Sequence, residues 1–136
     1  MRDELYVLEL CDKVLKRKAS RQHRFDFLKG DSGRKLPVDA YYEDLKLVIE
    51  YRERQHSEPV ALFDKRMTVS GISRGEQRAR YDKLRSEKIP KEGLQLVELC
   101  YSDFAHGSNK RLKQVEQNDI LVIQEKLKVY ILISQH

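Results

Sequence analysis

The sequence has few cysteines, and their placement argues against a fold that is held together by a structural metal or by disulfide bonds. Cys11 and Cys100 are the only two cysteines, and they lie far apart in the chain. They form no Cys-x-x-Cys pattern and no cluster with histidines, so a structural zinc site is not expected. Both fall on apolar stretches, which predicts buried free thiols and a reducing, cytoplasmic location.

Long apolar stretches are missing as well. The longest runs, residues 120–123 and 129–133, are far shorter than the roughly 20 residues that a membrane-spanning helix needs. Residues 1–4 carry acids where a secretion signal would have a basic start and then an apolar stretch. We therefore expect neither a membrane partner nor a signal peptide.

Charge of both signs is abundant. The 136 residues are 36% charged and 40% hydrophobic, with 27 Lys or Arg against 22 Asp or Glu and a net charge of +5. This balance is typical of one folded, soluble domain. The basic residues concentrate in 64–91, where nine Lys or Arg stand against four Asp or Glu, and in 13–24. Each run fits either a solvated helix face or a surface for a polyanion.

Hydrophobic periodicity predicts the order helix, three strands, helix, strand, helix. The expected helices cover residues 3–18, 73–89 and 118–134, the second opening with a capping box and stopping before Pro90. The expected strands cover 24–28, 36–42, 47–52 and 94–101. This order predicts a single α/β (α+β) domain, a mixed sheet flanked by helices in the order α-β-β-β-α-β-α.

The second and third strands are predicted to form a hairpin that brings two carboxylates together. If Tyr42 pairs with Leu47 across a four-residue link, Asp39 faces Glu50. The Cβ atoms of such a pair lie about 4.5–5.5 Å apart, and facing carboxylates repel. A shared proton, a neighbouring arginine such as Arg52, or a divalent cation such as Mg²⁺ would compensate. On the other face of the first strand we expect Val38, Ala40 and Tyr42 together.

Two further positions carry groups that could move protons. His56, next to Gln55 just after the hairpin, fits a general base, a leaving-group acid or a metal ligand, and equally a surface histidine. Asp82 lies within the second predicted helix, four residues after Arg78. It fits either a helix-surface ion pair or an acid that faces the hairpin.

These residues together resemble a known family. Leu36-Pro-Val-Asp39-Ala-Tyr-Tyr, Leu47-Val-Ile-Glu50-Tyr-Arg, then Gln55-His56 and Tyr81-Asp82-Lys83 are similar to the PD-(D/E)XK nuclease superfamily. The closest branch is that of the very-short-patch-repair (Vsr-like) and EDxHD homing endonucleases. The resemblance covers roughly residues 1–101 and implies a restriction-endonuclease-like core there. Residues 102–136 would then form a C-terminal loop and a helix that packs on the core or forms a dimer surface.

The resemblance implies roles for individual residues. Asp39 and Glu50 resemble the metal-binding acids, and His56, Gln55 and Asp82 resemble the branch's catalytic histidine, its neighbouring amide and its distal acid. The leading glutamate of the branch comes from the first helix, where Glu9 is our candidate and Glu4 the alternative. Glu9 equally fits a plain surface pair with Lys13.

The chain departs from the family pattern at the lysine two positions after the second acid, which is Arg52 here. Arginine does not readily lose its proton, so it can stabilise charge without acting as a base. Lys83 is the candidate for a relocated lysine. The glycine usual before Gln-His is replaced by Glu53 or Arg54.

The implied reaction is Mg²⁺-dependent (or Mn²⁺-dependent) hydrolysis of DNA phosphodiester bonds by a small endonuclease. Basic side chains would bind the phosphates of DNA or neutralise the transition state; the candidates are Arg52, Arg54, Lys65, Arg66, Arg74, Arg78, Arg80 and Arg85. Two other interpretations remain open: a non-catalytic nucleic-acid-binding module with a nuclease fold, and an adaptor whose basic face binds an acidic protein. A homodimer or a separate DNA-recognition partner is compatible with each nuclease interpretation.

Overall fold

The computed structural model describes residues 2–53 and 74–134. The helices are α1 (Asp3–Leu15), α2 (Arg74–Lys91), α3 (Glu116–Lys126) and α4 (Lys128–Ser134). The strands are β1 (Ser20–Lys29), β2 (Lys35–Tyr42), β3 (Leu47–Arg52) and β4 (Gln95–Cys100). The predicted α+β class and the order α-β-β-β-α-β-α are confirmed, with the last helix divided in two.

One mixed sheet in the order β1-β2-β3-β4 organises the fold. β1, β2 and β3 are antiparallel neighbours, whereas β3 and β4 are parallel. A parallel pair needs a long connection, and α2 lies within it. β3 is buried along its whole length because it has a neighbour on each side and helices on both faces.

Two hydrophobic cores cover the faces of this sheet. The first lies against α1, α3 and α4 and includes Leu8, Cys11, Ile49 and Ile123. The second lies against α2 and includes Leu28, Val38, Val48 and Ile89. Both thiols are free, as expected, but the predicted burial holds only for Cys11, because Cys100 is half-buried.

Several predicted boundaries are wrong for identifiable reasons. α1 ends at Leu15 rather than at residue 18 because Lys16 adopts a left-handed conformation (φ 55°) and turns the chain toward β1. β1 is twice as long as predicted, since its side chains alternate between half-buried and exposed over ten residues. α2 passes through Pro90, where a missing N–H donor affects only the last turn.

The predicted single C-terminal helix from Asn118 is in fact two helices. α3 begins at Glu116, with Val115 as its N-cap, and α4 begins after Leu127. Both pack against α1, where the hydroxyl of Tyr6 donates to the buried Asp119. Leu121, Val129, Leu132 and Ile133 remain 55–64% exposed. None of the described helices is long and apolar enough to cross a membrane.

Candidate functional site

The β2–β3 hairpin has the predicted register, and it opens at the two predicted acids. Tyr42 pairs with Leu47 across a short turn, and the ladder ends at the pair Ala40 and Ile49. Beyond that pair, side-chain carboxylates take the place of backbone carbonyls as hydrogen-bond acceptors. The Asp39 N–H donates to Glu50 Oε2 at 2.7 Å. The Tyr51 N–H donates to Asp39 Oδ2, also at 2.7 Å. The two carboxylates therefore lie next to each other, as the predicted register of the hairpin requires.

The alternation of side chains along β2 is interrupted at this opening. Val38 packs in the second core, whereas Ala40 and Tyr42 pack in the first. The prediction that these three share one face is therefore wrong. On the neighbouring strand β1, Gln22 has a left-handed backbone (φ 50°). The β1–β2 ladder passes from Ala40 to Val38 at this point, so Asp39 forms no regular pair in it. A local irregularity in both strands thus frees Asp39 from regular pairing.

Glu4 is the glutamate of the first helix that lies beside Asp39. It is half-buried, and burial together with the Asp39 carboxylate raises its pKa to about 7. Gln22 donates a 3.4 Å hydrogen bond to Glu4 Oε2. Glu9 is exposed and lies about 140° around the helix from Glu4. Of the two glutamates considered for this role, the geometry favours Glu4.

Glu50 is almost fully buried, at 2% exposure. Burial and the neighbouring Asp39 raise its pKa to about 8, although Arg52 and Arg85 act in the opposite direction. Arg85 Nε lies 3.3 Å from Glu50 Oε1, and Arg52 Nη1 lies 3.8 Å from the same oxygen. Burial and the neighbouring carboxylate therefore outweigh the two arginines in their effect on the pKa of Glu50.

Arg52 is 8% exposed and is surrounded by carboxylates. Its Nη1 lies 2.7 Å from Asp82 Oδ1 and its Nε lies 3.2 Å from Glu98 Oε2. A side chain held in this way does not reach out to bind a DNA phosphate, so that part of its predicted role is wrong. The prediction of Arg52 as counter-ion of the acid pair agrees with its position.

Asp82 faces the hairpin from α2 and is also paired with Arg85 on its own helix, so the structure contains features of both of its interpretations. It accepts hydrogen bonds from Arg52 and, at 3.1 Å, from Arg85 Nη1. Arg85 also donates to the Pro37 carbonyl at 3.1 Å, so it is a structural link rather than a surface phosphate ligand. Lys83 points to the exposed side of the same helix.

The other predicted basic residues divide into two groups. Arg74, Arg78 and Arg80 are exposed on α2, and Arg80 lies 3.3 Å from Asp31. Five predicted residues lie outside the part of the chain that the structure describes: Arg54, Gln55, His56, Lys65 and Arg66. Their roles stay predictions.

Two residues that no sequence pattern singles out also belong to the site. Glu98 binds Arg52 and accepts a 2.9 Å hydrogen bond from Ser86 Oγ. In the parallel β3–β4 ladder Glu98 is the partner of Glu50, so both point to the α2 side of the sheet. Only the parallel register reveals this, and the sequence alone does not determine that register.

The donor set of Asp39 and Glu50 suits a hard divalent cation. Within residues 2–53 and 74–134, no group of three or more His, Cys, Asp or Glu side chains is arranged to hold a metal. Mg²⁺, however, is commonly held by one or two carboxylates, with waters and substrate phosphates as the remaining ligands. A cation between Asp39 and Glu50 would also relieve the repulsion by Asp39, which adds to burial in raising the pKa of Glu50.

Comparisons with known proteins find partial similarities. No family model matches the chain. "Uncharacterized protein 094L" of Frog virus 3 (isolate Goorha) is 35% identical over 72 residues, which are 53% of this chain and 44% of that protein. The 5-hydroxymethylcytosine-specific restriction enzyme AbaSI aligns with 99% of this chain and 45% of its own, at 19% identity and a TM-score of 0.46. The chain thus spans less than half the length of either protein, and neither similarity assigns it to a family.

Proposed function

We propose that the protein is a metal-dependent endonuclease that hydrolyses DNA phosphodiester bonds, of the Vsr-like kind that its motifs resemble. The observation that carries this proposal is the meeting of Asp39 and Glu50 at the hairpin opening, with Glu4 beside them. Facing carboxylates are costly for a sheet, and a divalent cation that also binds phosphate explains why they are there.

In this proposal Asp39 and Glu50 hold Mg²⁺ or Mn²⁺. When bound, the cation supplies Lewis-acid polarisation of the scissile phosphate and a lowered pKa for the attacking water. Glu4 keeps Asp39 in place from α1. His56, which follows the amide residue Gln55, transfers protons, and the exposed Lys83 and Arg78 neutralise charge that develops on the phosphate. Arg52 cannot serve as a base, and it orients Glu50 and Asp82 instead.

The exposed basic residues bind the DNA backbone. Phosphate contacts position a duplex without reading its sequence. Arg74 and Arg80 on α2, together with Lys65, Arg66 and Arg54, are the proposed contacts. A homodimer, or a separate DNA-recognition partner, would supply sequence recognition and the second cut of a double-strand break.

A second candidate is a non-catalytic nucleic-acid-binding module with the same fold. One observation favours it: the residue in the position of the family's lysine, Arg52, is buried among Glu50, Asp82 and Glu98. That arrangement neutralises part of the negative charge that a cation would otherwise neutralise. Such a module would bind DNA in a salt-sensitive manner and leave it uncut.

Incubation with supercoiled plasmid distinguishes the two candidates. We expect nicking in Mg²⁺ or Mn²⁺, none in EDTA, and none by an Asp39→Asn variant, which keeps an oxygen to accept the Tyr51 N–H. Asp26→Asn is the matched control, because the Asp26 side chain is 91% exposed on β1. Salt-sensitive binding without cleavage would select the second candidate. Cleavage that survives Asp39→Asn would exclude the proposed site.

A further inference from the structure

The surface contains a polar cavity of about 320 Å³ between the start of α1, the residue that follows β3 and the loop at residues 109–111. Its lining residues come from three parts of the chain: Arg2, Asp3, Glu53, Asn109, Lys110 and Arg111. Three of the six are cationic and two are acidic. Glu4 links this lining to the acid pair, because burial raises its pKa and the charges of Asp39, Glu53 and Arg2 all affect that pKa.

Two of the three cations, Lys110 and Arg111, are contributed by a loop that is fixed to the start of α1. Residues 106 and 112 form an isolated bridge that closes the loop. Asp3, which is 8% exposed, accepts the Leu112 N–H at 3.1 Å and Gln114 Nε2 at 3.1 Å. Arg111 Nε also lies 3.3 Å from Asp3 Oδ2. One buried carboxylate therefore anchors the loop whose Lys110 lines the cavity together with Arg2.

Tyr51 lies close to three of the residues that line the cavity. The Tyr51 side chain is 5% exposed, and its hydroxyl has no hydrogen-bond partner among the described residues. It is close enough to Asp3, Glu53 and Arg111 for their charges to affect its pKa, which burial raises. The charged residues around Tyr51 are thus the same ones that line the cavity.

We propose that this cavity binds a phosphate group of the nucleic-acid backbone, next to the phosphate that the Asp39–Glu50 pair would cleave. The inference rests on the proposed function and adds a positioning element to it. Lys110 and Arg2 are the phosphate ligands, and Arg111 with Asp3 keeps the loop in place. The polyanion is bound here by residues 2 and 109–111, in addition to the basic face of α2.

The test measures DNA binding separately from cleavage. A fluorescent 20-base-pair duplex is titrated in EDTA at several salt concentrations, with wild type and with Lys110→Gln, Arg2→Gln and the double variant. Arg111 is left intact because it contacts the anchoring Asp3. Lys113→Gln is the matched control: Lys113 lies in the same loop, is exposed and does not line the cavity. Thermal melting verifies that each variant is folded.

We expect each cavity variant to lower the affinity by about tenfold, the size of one charge-assisted hydrogen bond. The slope of log affinity against log salt should fall by about 0.9 for each phosphate that the variant no longer binds. Equal effects of Lys110→Gln and Lys113→Gln, or no effect of either, would overturn the cavity as a phosphate site while cleavage at Asp39 stood unaffected. Failure of the wild type to bind DNA at low salt would overturn the proposed function, and the cavity assignment with it.

Discussion

Arg52 Nη1 donates to Asp82 Oδ1 at 2.7 Å, which fastens the end of β3 to the middle of α2. The same guanidinium contacts Glu98 on β4 and lies near Glu50 on its own strand. A single buried cation thus joins three elements around the acid pair. Its Nη2 is buried with no hydrogen-bond partner among the described residues, so the arrangement leaves one donor unsatisfied.

We expect Arg52→Ala to lower the free energy of unfolding by about 3–5 kcal/mol, because it leaves Asp82 and Glu98 without their buried partner. Urea unfolding followed by circular dichroism measures this. Arg80→Ala is the control, since Arg80 is 55% exposed where it pairs with Asp31. A loss of about 1 kcal/mol or less is expected there. Equal losses in the two variants would show that the Arg52 network contributes little.

The two glutamates of α1 provide a second prediction. Glu4→Gln should lower metal affinity or cleavage by about 10–100-fold, the usual effect of removing a group that orients a metal ligand. Glu9→Gln should leave both unchanged, because Glu9 lies on an exposed side of the helix. Isothermal titration with Mn²⁺ and the plasmid assay are the measurements. The reverse ranking would restore Glu9 as the leading glutamate.

The third prediction concerns pH. In EDTA the free energy of unfolding should fall as the pH rises from about 5 to about 8. Glu50 has a pKa of about 8 in the folded protein, against an ordinary value of 4.5. Between these values the folded state holds a proton that the unfolded chain has released, so a rising pH favours unfolding. The contribution of Glu50 to the free energy of unfolding is fully present below its ordinary pKa of 4.5. It is lost as the pH rises through the raised pKa of about 8.

The groups that face Glu50 are Asp39 from β2, Arg52 from its own strand and Arg85 from α2. Glu50→Gln should therefore flatten the dependence of melting temperature on pH, whereas Glu87→Gln, at an exposed position on α2, should leave it intact. A wild-type melting temperature that rises steadily from pH 5 to 8 in EDTA would contradict the raised pKa of Glu50.

The packing of α3 on α1 gives a fourth prediction. Tyr6→Phe removes the hydroxyl that donates to Asp119, which is 1% exposed. The unfolding free energy should fall by about 1–3 kcal/mol, the cost of a buried acceptor left unsatisfied. Lys13→Ala breaks the exposed Lys13–Glu116 pair between the same two helices and should cost about 1 kcal/mol or less. Equal costs would mean that Asp119 finds another donor.

The hairpin and the meeting of its acids are predictable because both depend on local pattern. Alternating side chains and a short link determine the register, and the register brings Asp39 to Glu50. The end of α1 is not predictable in the same way, since Lys16 leaves the helix for tertiary reasons. Asp12, one turn earlier, binds the Tyr42 hydroxyl at 2.5 Å and Arg21 at 2.6 Å, which draws the chain back onto the sheet.

The surroundings of the site depend on contacts between distant parts of the sequence. Asp3 fixes a loop more than 100 residues away, and Arg52 is buried by α2 and β4. Neither partner can be inferred from spacing, because only the folded arrangement brings them together. For the same reason, the positive charge of Arg52 and Arg85, taken from the sequence alone, predicts that they bind phosphate. Their burial in the folded protein argues against that role.

The hairpin opening has a consequence for spectroscopy. The amide protons of Asp39 and Tyr51 are hydrogen-bonded to the side-chain carboxylates of Glu50 and Asp39 on the opposite strand rather than to backbone carbonyls of that strand. Any event that removes charge from these carboxylates, whether protonation or a bound cation, weakens the acceptor and shifts the resonance of the attached amide. Two backbone signals from residues 39 and 51 should therefore report directly on the occupancy of the site, before any substrate is added.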